Sequence, residues 1–329
     1  MDIARYINDR KIKMRHNRIS VRNSVVRGGI MLAVGAVLTV LSVTGCRNVA
    51  GDSGDTTGRT KVAVSIEPLR YFVSAVGGDS VDVSVVMPRG ADPETFEPGV
   101  AAMKKMHEAD VLLTTGLLPF ERRIVGSGSE SALLFGVADG VGLIYGTHDA
   151  AHHHDAGGEG HEAAHAHGEA DPHVWSSVEN ARIIAANVVD ALVAANPERA
   201  DYYHERGGLL QARLDSLSGV WAQRMAGKQG AAFVVWHPAL SYFAREYGLR
   251  QIALNVDNKE NSSLRLRDII QDARSHDAGA LFVAKGHNPA QTAPVADELG
   301  VRPVEIDVMS ADWEGEMEKV VNAIATPAH

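Results

Sequence analysis

AAFVVWHPALSYFAREYGLRQIALNV (231–256) decides the fold. Two short runs rich in β-branched and aromatic residues, 231–236 and 251–256, enclose a segment of helical character at 239–247. Strands separated by helices of this length build βαβ units, and βαβ units build parallel sheets. The alternation continues downstream with GALFVA (279–284) and PVEID (303–307), set between helical stretches at 263–275 and 290–299. A second block lies upstream: KVAVSI (61–66), VDVSVVM (81–87) and DVLLTTG (110–116), with Leu69, Phe72, Val73 and Val76 at helical spacing between the first two. The fold class predicted is α/β, in two lobes with parallel sheets.

Residues 177–227, between the blocks, hold few strand formers and many Ala, Leu, Arg and Glu. Asn196-Pro197 breaks the stretch, and Pro197 suits the first turn of a helix. Leu209, Leu210, Leu214, Leu217 and Val220 then carry a helical rhythm toward Met225. A helix from 197 to 226 would be about 45 Å long at roughly 1.5 Å per residue. That reaches along both lobes and makes a stiff link between them. The expected organisation is an N-terminal lobe at 61–196, a linking helix at 197–227 and a C-terminal lobe at 228–329.

The start of the chain is an address. Residues 1–28 carry eight basic residues, from Arg5 to Arg27, and an apolar run from Gly29 to Val43 follows before Thr44-Gly45-Cys46. A basic segment, a short apolar run and small residues describe a secretory signal over 1–45. The run is shorter than the roughly 20 apolar residues of a membrane-spanning helix. Val-Thr-Gly-Cys has the form of a lipobox, so Cys46 is the expected lipidation site, anchoring an exported chain to a bacterial membrane. Cys46 is the only cysteine, which rules out an intrachain disulfide. Residues 46–60 read as a flexible tether. Beyond the leader, 24 basic residues face 39 acidic ones. This acidic balance argues against a nucleic-acid partner and suits the handling of cations.

Residues 148–170 (HDAAHHHDAGGEGHEAAHAHGEA) belong to no core. They hold His148, His152, His153, His154, His161, His165 and His167, several acids and no large apolar side chain, as expected of a loop. The histidines suit weak accessory metal capture, or else a solvated insertion with incidental affinity.

In open parallel sheets ligands bind beyond the carboxyl ends of strands. Four candidate ligands fall there or beside it: Glu94, in the turn after strand 81–87; His173, in Asp171-Pro172-His173; His237, directly after strand 231–236; and Asp307, at the end of strand 303–307. Each has a plain alternative as a loop hydrogen-bonder, a cap or a helix-terminal charge. The turn that offers Glu94 also offers Asp92, although Asp92-Pro93 is an ordinary turn signal; His287 and Glu260 are lesser candidates.

The chain resembles the zinc/manganese solute-binding proteins of metal ABC transporters, the group that includes the high-affinity zinc-uptake binding proteins. The likeness rests on VAVSIEPLRYFVSAVGGDSVDVSVVMPRGADPETFEP (62–98), ADVLLTTGLLPFE (109–121), DPHVWSS (171–177), HPALSYFAREYGL (237–249), DNKENSS (257–263) and VEIDVMSADW (304–313), in order. It implies two Rossmann-like lobes joined by one long rigid helix, with a metal held between them by Glu94, His173, His237 and Asp307. The first of these departs from the family pattern, which has His in Asp-Pro-His. Two imidazoles and two carboxylates suit Zn2+, and the larger oxygen share leaves room for Mn2+ or Fe2+. The histidine-rich segment favours zinc. The resemblance further implies a monomer that binds without catalysis and delivers its ion to an ABC permease and its ATPase subunit, facing the periplasm or the cell exterior. Some relatives are named for adhesion, so a metal-dependent surface adhesin is an alternative. A zinc hydrolase would need an open coordination position, and HExxH is absent.

Overall fold

The computed structural model describes residues 58–126, 132–146, 169–255 and 263–326. The leader 1–45, Cys46 and most of the tether, the seven histidines of 148–167 and Glu260 lie outside the described residues.

Two parallel four-stranded sheets carry the chain. The first contains β1 (Thr60–Val64), β2 (Val81–Val85), β3 (Val111–Thr114) and β4 (Leu133–Gly136) in the order β2-β1-β3-β4. The second contains β5 (Ala232–Val235), β6 (Arg250–Ala253), β7 (Leu281–Ala284) and β8 (Pro303–Ile306) in the order β6-β5-β7-β8. Every strand pairing is parallel. The two sheets thus repeat one winding, which is the two-lobed α/β architecture expected. The inner strands β3 and β5 are buried at every residue, whereas the edge strand β8 is half open. A parallel sheet with helices on both faces needs apolar side chains on both faces of its inner strands, and VLLT and AFVV supply them.

β4 is an addition to the sequence reading. LLFG is four residues long, holds no β-branched residue and ends in glycine, so its composition carries little strand signal. It forms because β3 offers an open edge, pairing Val111 with Leu133 through Thr114 with Gly136.

The first lobe's helices are α1 (Glu67–Gly77), α2 (Val100–His107), α3 (Pro119–Gly126) and α4 (Val178–Ala195). α1 opens on Glu67-Pro68, where a missing N–H costs nothing, and buries Leu69, Phe72, Val73 and Val76. The Ser177 hydroxyl accepts from the Asn180 backbone N–H at 3.2 Å and caps α4.

The long helix is α5 (Ala200–Arg224), 25 residues. It begins three residues later than expected, because Pro197–Arg199 forms a 3-10 turn closed by Arg199 N–H on the Asn196 carbonyl. Its first half packs on the first lobe, with Arg206 Nε donating to the Ala75 carbonyl at 3.0 Å and Gly207 against Val189 of α4. Its second half meets the last helix: Trp221 Nε1 donates to Glu318 at 2.6 Å and Arg224 pairs with the same carboxylate.

The second lobe adds α6 (Ser241–Tyr247), α7 (Ser263–Ser275), α8 (Pro289–Leu299) and α9 (Trp313–Ala325). α6 ends on Gly248 at φ 65°, the left-handed cap that glycine adopts without a Cβ penalty. α9 also reaches the first lobe, with Trp313 stacked near Tyr71 and Phe72 of α1 at ring-centroid distances of 5.3 and 5.5 Å. One apolar core accordingly runs from the first sheet to the inner face of the second, through Phe72, Trp175, Trp221, Phe233, Phe282 and Trp313. A smaller core of Val234, Leu281, Ala273 and Val295 fills the outer face of the second sheet.

Candidate metal centre

The loop after β2 brings Glu94 to the interlobe cleft. Asp92 shapes this turn: its carboxylate accepts from the Glu94 backbone N–H at 2.9 Å and the Thr95 hydroxyl at 3.1 Å. Those bonds occupy Asp92 in the turn and leave Glu94 as the carboxylate to offer. At the loop's start, Arg89 Nε donates to Glu67 at 3.0 Å and fastens it to α1.

His173 is the best-anchored of the four. Its side chain is 5% exposed, and its Nδ1 stands 2.8 Å from Asp171 Oδ1. Asp171 also accepts from the His173 backbone N–H at 2.9 Å. Burial opposes ionisation of Asp171, but the hydrogen bonds and charge of His173 prevail and hold its carboxyl below the usual range. A carboxylate can only accept, so Nδ1 carries a hydrogen; in the neutral ring this leaves the lone pair on Nε2, the arrangement that orients a metal-binding imidazole. The Asp171 carbonyl in turn accepts from the Tyr242 hydroxyl at 2.7 Å. Burial pushes that phenol up to about 12, so it stays a donor at neutral pH.

His237 follows β5 after one intervening residue and is 42% exposed on its side chain. Its ring meets that of His173 edge-on at 5.2 Å between centroids. Its Nε2 lies 3.7 Å from Glu94 Oε1. Asp307 follows β8 directly. Its backbone N–H donates to Glu316 of α9 at 3.0 Å, and its Oδ1 accepts from the Met309 N–H at 3.1 Å, so Oδ2 is the oxygen left to face a ligand.

Asp307 and His237 line one cleft of about 940 Å³, together with Glu67, Arg89, Trp236, Glu305 and Glu316. The structure therefore gathers Glu94, His173 and His237 as neighbours and places Asp307 on the wall shared with His237. Among the described residues, no three His, Cys, Asp or Glu side chains stand close enough to hold an ion as they are. Imidazole nitrogens and carboxylate oxygens are the donor types that a divalent cation such as zinc takes.

Of the lesser candidates, His287 lies against Trp236 of the cleft wall, ring centroids 4.4 Å apart. Its Nε2 is buried without a hydrogen-bond partner among the described residues, and burial lowers its pKa. The sequence reading had assigned nothing to Asp171 or Glu316. A carboxylate two residues before a histidine could have flagged Asp171, whereas Glu316 depends on a packing of α9 that no local pattern announces.

Comparisons with known proteins identify the family. The family profile described as ZnuA, zinc-uptake complex component A, periplasmic, matches residues 62–326. The chain belongs to this family. Among curated relatives, the zinc-binding protein AdcA of Streptococcus pyogenes serotype M3 is 26% identical over 280 residues, covering 79% of this chain and 52% of AdcA. The chain thus spans about half the length of that relative. A crystal structure of ZnuA superposes with a TM-score of 0.70 at 26% identity, covering 82% of this chain and 99% of the other. A zinc-bound ZnuA deletion mutant gives 0.69 at 26% identity, covering 82% and 98%.

Proposed function

We propose that this protein is the extracytoplasmic solute-binding component of a zinc ABC transporter, taking Zn2+ between its lobes and passing it to a membrane permease driven by an ATPase subunit. The observation that carries this reading is that His237 of the second lobe stands against both Glu94 and His173 of the first, with His173 already oriented by a buried carboxylate. In this proposal Asp307 completes a set of two imidazoles and two carboxylates. Four protein donors close a tetrahedral sphere, whereas catalytic zinc keeps a position for water, so the role is capture and release. The names of ZnuA and AdcA support the same reading.

The division into lobes at 61–196 and 228–329 about a helix at 197–227 is part of the proposal, and one sheet on each side of α5 supports it. So are export, a lipid anchor on Cys46 and a monomeric state. No helix among the described residues is long and apolar enough to cross a membrane. The histidines from His148 to His167 are proposed to capture metal weakly beside the main site. Their segment leaves and returns where Tyr145 and Ala170 pair in an antiparallel bridge, close to Asp171 and His173.

Manganese or ferrous iron is the second reading, favoured by the presence of Glu94 where an imidazole would enlarge the nitrogen share. Metal content of untagged protein purified without added metal, followed by calorimetric titration with Zn2+ and Mn2+, tests both. One tightly held zinc per chain is expected. Preferential retention of manganese would replace zinc by the second reading, and no retained or titratable metal would refute both.

A further inference from the structure

His173 and Asp307 stand in different parts of the sequence, yet the segments that carry them are bonded directly to each other. Trp175, two residues past His173, donates its indole N–H to the carbonyl of Val308, the residue after Asp307, at 2.8 Å. Trp313, at the start of α9, donates back to the Trp175 carbonyl at 2.6 Å. Both indoles are buried. The Trp175 ring also meets the His173 imidazole edge-on at 5.4 Å. Asn180 Nδ2 holds the intervening Val174 carbonyl at 2.9 Å. Trp313 is itself wedged among Tyr71, Phe72 and Trp221.

The other two donors differ. Glu94 and His237 are 43% and 42% exposed, against 5% for His173. Resting on the four-ligand reading above, we infer that Trp175 and Trp313 are positioning residues that keep His173 and Asp307 as a preset half-site, and that Glu94 and His237 form the half that closes on the ion. The division has a physical reason. A buried indole N–H without an acceptor is costly, so these two bonds persist in the metal-free protein and fix the angle between the donors they flank. Donors fixed in advance lose less freedom on binding. Leaving Glu94 in solvent until the ion arrives avoids burying an unpaired carboxylate.

Trp175→Phe and Trp313→Phe keep ring packing and delete the N–H. Each should still bind one zinc per chain, about tenfold more weakly, as loss of a supporting hydrogen bond typically costs. The visible bands of the Co2+-loaded protein should shift as the donor geometry relaxes. Unchanged affinity and unchanged cobalt bands in both variants overturn the inference. So does weaker binding that comes with a lower metal-free melting temperature and unmoved bands, because that is structural damage alone. Wild-type protein that binds no zinc, or a His173→Ala variant that binds as wild type, strikes the four-ligand reading instead. A measurement without substitutions completes the test: the indole N–H groups of Trp175 and Trp313, followed by NMR hydrogen exchange, should be protected before zinc is added. Free exchange of both in the metal-free protein, with protection only after loading, overturns the preset half-site.

Discussion

Glu94 Oε1 and His237 Nε2 stand 3.7 Å apart, and they reach that distance from the loop after β2 and from the end of β5, which belong to different sheets. Two donors bound to one tetrahedral ion at roughly 2.1 Å lie about 3.4 Å from each other. The pair is therefore a few tenths of an ångström from bridging a zinc ion. Because both side chains are partly solvated, that last approach asks for rotamer changes and a small loop shift, without a large lobe rotation. The Tyr71 hydroxyl of α1 donating to Glu314 of α9 at 3.2 Å, and the bonds from α5 to both α1 and α9, oppose such a rotation in any case.

Replacing Glu94 tests its place in the donor set. Glu94→Ala removes one ligand and should weaken zinc by at least about a hundredfold, beyond what an outer-shell loss costs. Glu94→His restores a third imidazole and should raise the preference for zinc over manganese. Competition against a chromophoric chelator with each metal reads both outcomes. A Glu94→Ala variant with wild-type affinity would remove this residue from the site.

Asp171 should matter nearly as much although it touches no ion. It holds the His173 tautomer from both the ring and the backbone. Asp171→Ala frees the ring to turn and should cost roughly 10–100-fold in affinity. Circular dichroism and the metal-free melt separate this from unfolding, and calorimetry gives the affinity.

How far these features could be read from the chain depends on the range over which each is specified. The strand–helix–strand unit of 231–256 is written in local runs, so β5, α6 and β6 were visible, as was the position of His237 at a strand end. β4 was not, because Leu133-Leu134-Phe135 owes its conformation to the edge of β3. Pro197 marked the start of the long helix but gave a 3-10 turn first. At the site, Glu94, His173, His237 and Asp307 stand in motifs at strand and loop ends, where residue type and place suffice. The Trp175–Val308 bond joins residues 133 apart in sequence, and neither end signals the other. Exposure, which leaves His173 buried, Asp307 half-buried and Glu94 and His237 open, is likewise a property of the packed chain.

Glu246 predicts an acid-side stability gain. Burial raises its pKa above the ordinary glutamate value, even though the carboxylate accepts from the Val178 and Glu179 backbone N–H groups at the start of α4. The native state thus holds this proton more firmly than the unfolded chain. Its stabilising contribution is full below the ordinary glutamate range and is lost as pH rises through the native value. Glu246→Gln keeps an acceptor for α4 and carries no charge. At neutral pH the variant should melt higher than wild type, and the advantage should vanish near pH 4. Melting curves of the two proteins across that interval check it, and a constant difference would remove Glu246 as the cause.

Two adjacent glycines in α5 should respond in opposite senses to the same substitution. Gly207 is buried, and a Cβ built there would collide with the Val189 side chain of α4. Gly208 is exposed, and a Cβ there meets nothing within 4 Å. Alanine is worth about 1 kcal/mol over glycine in a helix interior. Gly208→Ala should therefore stabilise by about 0.5–1 kcal/mol, raising the melting temperature by a few degrees. At Gly207 the same gain opposes overpacking of about 1–3 kcal/mol. Val189 stands on α4, whose backbone cannot retreat without disturbing Ile184, Val188 and Leu192 in the core. Gly207→Ala should accordingly be net destabilising by up to about 2 kcal/mol. Zinc affinity measured on Gly208→Ala should match wild type, since Gly208 is exposed and does not line the cleft. Thermal melts of the two variants decide the matter, and a stabilised Gly207→Ala would show that the α4–α5 contact is looser than the geometry gives.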